Sequence, residues 1–125
     1  MDKVIFNKVA EVKHLLSKSK LEDNYFLMLI NLLDIAKARE DNIIFLALVD
    51  DEVILSAGLF SINKRQVLAF KYSALYLYGY SFLDYNQIYT LPLFEKEFID
   101  FVKTFSRSNS IDLENVLTKS INSFS

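Results

Sequence analysis

Cysteine is absent, which excludes disulfides, thiolate nucleophiles and thiolate metal sites together. Tryptophan is absent too, and histidine occurs once, as His14. Only two glycines, Gly58 and Gly79, and one proline, Pro92, interrupt the chain. That excludes a glycine-rich phosphate loop, and it leaves no serine between glycines at a nucleophile elbow. No block of like charge stands out, and the formal net charge is −2. A nucleic-acid binder would show a basic stripe, so none is expected as partner. The longest apolar runs, near 25–30 and 55–60, are too short to cross a bilayer, and no membrane partner is expected. Without disulfides or a secretory leader, the cytoplasm is the expected compartment.

What is present is core material. The 125 residues suit one domain, 52% of them are hydrophobic, and there are eleven Phe and seven Tyr. A chain of this length buries roughly two-thirds of its unfolded surface, so no metal is needed for folding.

Ile5, Val9, Val12 and Leu16 recur at helical spacing and predict a first helix that ends in 17–20. Asp23 or Asn24 reads as the cap of a second helix that runs to about Arg39. Between Tyr25 and Ala36 only Asn31 and Asp34 are polar. A helix apolar almost all round should be buried on more than one side, by the sheet and another helix or by a partner. Strands are predicted around 43–49, 52–62, 66–72 and 75–80, with turns at Asp50-Asp51 and Asn63-Lys64-Arg65. In the last strand Leu75 and Leu77 fall on one face, and Tyr76, Tyr78 and Tyr80 on the other. A loop follows from Ser81 to about Leu91. Pro92 suits a helix start, and Phe94, Phe98, Phe101, Val102 and Phe105 form an apolar stripe behind it. The segment 111–117 fits either a helix capped by Ser110 or a strand. Together these elements predict an α/β fold, with helices packed on an antiparallel-rich sheet of four or more strands.

Few residues suggest chemistry. His14 has only Glu11 one turn away to orient it, and reads as a half-exposed helix residue. Asp50, Asp51 and Glu52 lack the alternating ligands and the glycine of a calcium loop, so a solvated turn is expected. Lys64, Arg65 and Lys71 read as charges at a sheet end rather than as a phosphate site. Each glycine stands alone in a strand, which marks a bulge or a close approach. The most distinctive stretch is 72–89, where Tyr72, Tyr76, Tyr78, Tyr80, Phe82, Tyr85 and Tyr89 are interleaved with Asp84, Asn86 and Gln87. Such a surface suits recognition of a ligand, peptide or partner, or else forms a helix-covered sheet face.

Asn24-Tyr25-Phe26 opening a helix, the hairpin 45–54, Leu75-Tyr76-Leu77-Tyr78-Gly79-Tyr80 and Asp84-Tyr85 occur in that order. The order resembles the N-terminal half of the CelD-type, FemAB-like branch of GNAT-fold acyltransferases, over about residues 22–115. The family joins two GNAT-like halves, and residues 1–125 match a single half-domain. The resemblance implies acyl transfer to an amine from an acyl-CoA or aminoacyl-tRNA type of donor. Acyl-CoA as a cofactor enters through the resemblance alone. Asp84 and Tyr85 match the family's "S-D-Y" element near the cleft between halves, although Leu83 replaces its serine and Asp51 replaces the usual hairpin glycine. The Q/R-x-x-G-x-G/A loop of an acetyl-CoA site is missing.

The reading that follows is a GNAT-related, acyltransferase-like half-domain, not catalytic alone. It would meet a second half, in trans or as a homodimer, through a surface with Tyr76, Tyr78, Tyr80, Asp84 and Tyr85. One alternative is a small ligand- or peptide-binding regulatory module that uses the aromatic sheet face. Another is a small acyl-CoA-dependent N-acyltransferase, with Asp84 or His14 as base and Tyr85 as acid.

Overall fold

The computed structural model describes residues 1–79 and 88–113, apart from the side chain of Arg65. The element order is β1 (Asp2–Phe6), α1 (Val9–Lys18), α2 (Asp23–Arg39), β2 (Ile44–Asp50), β3 (Val53–Val67), β4 (Phe70–Leu77), β5 (Tyr89–Thr90), a single 3₁₀ turn (Pro92–Phe94), α3 (Glu95–Ser108) and β6 (Ile111–Leu113). The sheet runs β1-β2-β3-β4-β6, and β5 pairs with β3. Every pairing between these strands is antiparallel except β4 with β6, and Lys20 adds an isolated parallel bridge to Val53. The chain is therefore α/β, with an antiparallel-rich sheet flanked by helices, in keeping with a GNAT-like arrangement.

Alternation along the strands divides the core into two layers. Phe45, Ala47 and Val49 of β2 join α1 and α2 on one face. Leu46 and Leu48 join Phe98, Phe101 and Val102 of α3 on the other. The β3 pairing shifts register opposite Leu48 and Val49, where Ser56 and Ile54 are the partners and Leu55 is the extra residue. This bulge lets Ile54, Ala57 and Leu59 all face α1 and α2. Leu75 and Leu77 face α3 whereas Tyr78 faces α1 and α2, as the alternation in that strand predicts.

Helix α2 is covered by the sheet and α1, with Tyr25, Met28, Leu29, Leu32, Leu33 and Ala36 buried. Leu27 stays 60% exposed. The cap of α2 is Glu22, not Asp23 or Asn24: its carboxylate accepts from the N–H groups of Asn24 at 3.0 Å and Tyr25 at 2.8 Å. The longer side chain reaches both orphan donors from one position earlier.

Three segments differ from the sequence expectation. Ile5 is not on the first helix but in edge strand β1, 51% exposed, and α1 begins only at Val9. Helical spacing linked residues that belong to two elements. The strands expected at 52–62, 66–72 and 75–80 are two longer ones, and Asn63-Lys64-Arg65 lies inside β3. The turn is at Leu68-Ala69, between the paired Val67 and Phe70. Polar residues are tolerated within β3 because the far half of the β3–β4 ribbon is mostly exposed. The expected loop 81–91 contains strand β5. The segment 111–117 begins as strand β6, parallel to β4, and its remainder lies outside the described residues.

Candidate functional site

The expected tyrosine surface is partly a core feature. Tyr78 follows β4, and its backbone N–H donates to the Leu59 carbonyl at 2.9 Å. Its side chain is 4% exposed and packs with the α1–α2 layer. The phenol donates to Asp41 Oδ2 at 2.6 Å, just past the C-terminus of α2. The same oxygen accepts from Arg39 Nε at 3.1 Å. Burial raises the Tyr78 pKa well above the ordinary tyrosine value, and the hydrogen bond to Asp41 and its charge add to the shift.

A tyrosine pair lies further along the same face. Tyr25, fully buried on the first turn of α2, donates to the Ala57 carbonyl at 3.2 Å. Its ring stacks on Tyr89 with centroids 5.2 Å apart. Burial raises the pKa of both phenols. Tyr89 is raised further by the negative charge of Glu22. All three phenols are thus neutral at neutral pH, with Tyr25 and Tyr78 as hydrogen-bond donors. None of them can serve there as a base.

Tyr89 pairs with Ala57 and Thr90 with Ser56. Tyr78 lies beside Leu59 and Tyr89 beside Ala57, two positions apart along β3. Ser56 Oγ and Thr90 Oγ1 lie 2.7 Å apart, both buried. Gly79 has φ 84°, the left-handed region that glycine enters without strain. Gly58 marks a close approach, because a Cβ there would meet the Phe60 ring at 2.6 Å.

The other expected site residues are dispersed. Tyr76 is half-buried on β4, on the same strand face as Tyr78. Tyr80, Asp84 and Tyr85 lie outside the described residues. His14 is exposed on α1. Asp50, Asp51 and Glu52 are exposed in the β2–β3 turn. Among the described residues no group of His, Asp or Glu is placed to hold a metal ion. Among the described residues no helix is long and apolar enough to cross a membrane.

A hollow of about 490 Å³ lies on the far half of the β3–β4 ribbon, lined by Lys64, Gln66, Lys71, Tyr72 and Ser73. It is lined by neither Tyr76 nor Tyr78. Sequence reasoning missed Tyr25, Asp41 and the Ser56–Thr90 pair. Their significance comes from contacts across more than thirty positions, and no local spacing carries that signal.

No protein-family model, curated protein or solved structure matches the chain.

Proposed function

We propose that the chain is an acyltransferase-like half-domain of the GNAT-related kind, incomplete as a catalyst and acting through a second domain or subunit. The observation that carries this reading is the β4–α3–β6 crossover. It makes β4 and β6 the one parallel pair among the named strands of the described residues. In open α/β sheets, ligands bind in crevices outside the carboxyl ends of strands. Here that end is Leu77 to Gly79, next to Tyr89.

The described side chains at that end support one wall of a site rather than a whole one. They supply neutral phenols and the Asp41–Arg39 pair, and all of these already have partners. Leu93, in the turn leading into α3, is 88% exposed and offers apolar surface to a second body. The order of motifs from Asn24 to Tyr85 supports the same family reading.

Sedimentation equilibrium tests the association. A reversible increase in mass with concentration is expected, and a clean monomer at high micromolar concentration counts against self-association. Calorimetry with acetyl-CoA tests the incompleteness. No heat is expected from the chain alone, and saturable heat would replace this reading with that of a self-sufficient N-acyltransferase.

A further inference from the structure

The β3–β4 ribbon outruns the sheet that supports it. Strand β2 pairs with β3 only as far as Phe60, and β6 pairs with β4 only from Ser73 to Leu75. Beyond Phe60 and before Ser73 the two strands pair with each other, ending at Val67 and Phe70. The tip is apolar and bare: Val67 is 56% exposed, Leu68 88% and Phe70 75%. Leu68 also has φ 56°, a left-handed conformation that a bulky side chain rarely adopts and that glycine would take freely. A large apolar residue held there, pointing into water, contributes nothing to the core.

The ribbon is also set apart electrically. Residues 53–83 hold three of the fourteen basic residues, Lys64, Arg65 and Lys71, and none of the sixteen acidic ones. The register places Lys64, Gln66, Lys71 and Ser73 on one face, around the hollow, and Val67 and Phe70 on the other. Among the described residues, no ion pair engages Lys64 or Lys71. An apolar end flanked by unpaired ammonium groups is the pattern of a surface that lies against an anionic bilayer.

We propose that this ribbon docks on an anionic lipid surface. Val67, Leu68 and Phe70 would enter the interface, while Lys64 and Lys71 would meet phosphate headgroups. The run lengths that exclude spanning do not bear on lying at the surface. A convex tip of three side chains fits a fluid lipid interface. It offers too little area for a stable protein interface, which needs roughly 800 Å² from each partner. The edge of β3 beyond Phe60, unpaired among the described residues, is a poor dimer seam as well. A two-fold pairing centred there sets Lys64 or Arg65 against its own copy, and like charges directly opposite are destabilising.

Vesicle co-sedimentation tests the proposal. Wild-type protein is expected to pellet with phosphatidylcholine vesicles that contain phosphatidylserine, and to stay in solution with phosphatidylcholine alone. High salt should weaken the binding. Lys64→Glu/Lys71→Glu is expected to weaken it on the order of tenfold or more. Leu68→Gly/Phe70→Ser should abolish it, with far-ultraviolet circular dichroism unchanged, because both side chains are outside the core and glycine suits position 68. Leu27→Ser, at an exposed apolar residue on α2, should bind as wild type. Equal pelleting with neutral vesicles, no pelleting with either, or undiminished binding by Leu68→Gly/Phe70→Ser would each overturn the proposal. So would a wild-type chain that ignores vesicles but forms a dimer that Phe70→Ser dissociates, since the occupant would then be a second copy.

Discussion

Tyr78 and Asp41 are 37 positions apart in sequence, yet the tyrosine hydroxyl donates to the aspartate Oδ2 at 2.6 Å. The contact ties the end of β4 to the residue just past α2. Asp41 shares the same oxygen with Arg39, so one carboxylate holds the phenol and the last helical side chain together.

Tyr78→Phe removes the hydroxyl and leaves the ring in place. A hydrogen bond to a charged acceptor contributes roughly 1.5–3 kcal/mol, and partial exposure of Asp41 argues for the lower end. The expected loss is about 1–2 kcal/mol, read from urea unfolding. The pH dependence follows from the raised pKa of Tyr78. The unfolded phenol ionises near 10, while the folded one keeps its proton to higher pH. Its contribution is therefore intact below about pH 10 and falls as pH rises above that. Tyr78→Phe should show a shallower decline of stability in that alkaline window. An identical slope in the two proteins would refute the linkage.

Gly58→Ala should be costly although it adds a single methyl group. The new Cβ would lie 2.6 and 2.7 Å from two atoms of the Phe60 ring. Phe60 is fully buried against the α3 layer and cannot swing into solvent. Overpacking of this kind costs about 1–3 kcal/mol. Phe60→Leu in the same chain should recover part of the loss, so the double variant should be more stable than the sum of the singles predicts. Strict additivity in that cycle would show that the methyl group clashes with something other than the ring.

The α/β class was legible because β2 is a continuous apolar run of strand-forming residues and α3 carries an apolar stripe at helical spacing. Helix α2 was legible from its all-round apolarity, which required cover on two sides. The ribbon was not. Residues 61–67 lie beyond the helices, so burial does not enforce alternation, and their polar residues imitate a turn. Leu68-Ala69, the true turn, has no turn chemistry to announce it. Of the candidate site, the tyrosine face was visible in the alternation of Tyr76 and Tyr78. The partners that fix the role of Tyr78 were not visible, since Asp41 lies 37 positions away, just past the end of a helix.

The β2–β3 turn carries avoidable strain. Asp51 has φ 47° and Glu52 φ 65°, so two consecutive non-glycine residues occupy the left-handed region. That is the geometry of a tight hairpin turn, which favours glycine at its second central position. A side-chain residue there costs roughly 1–2 kcal/mol, and glycine returns part of this by enlarging the entropy of the unfolded chain. Glu52→Gly should therefore stabilise by up to about 1 kcal/mol. Its backbone carbonyl still accepts from Lys20 N–H, at 2.7 Å in the wild type, so the link to the segment before α2 survives. A higher urea midpoint at unchanged slope is the expected result. A lower midpoint would mean that the Glu52 side chain matters more than the turn geometry.

The Ser56–Thr90 pair is directional, which makes its two partners unequal. Thr90 Oγ1 donates to the Leu91 carbonyl at 3.1 Å. With its one proton committed there, Thr90 can only accept from Ser56 across their 2.7 Å contact. Ser56→Ala removes a donor, and Thr90 keeps its own bond, so the loss should be about 0.5–1.5 kcal/mol. Thr90→Val leaves the Ser56 hydroxyl buried without its acceptor, and an unsatisfied buried group costs about 1–3 kcal/mol. Adding Ser56→Ala to Thr90→Val removes that orphan. The double variant should then be no less stable than Thr90→Val alone, a coupling readable in a double-mutant cycle. If Ser56→Ala proves the more damaging single change, the proton runs the other way and Thr90 is the donor to Ser56.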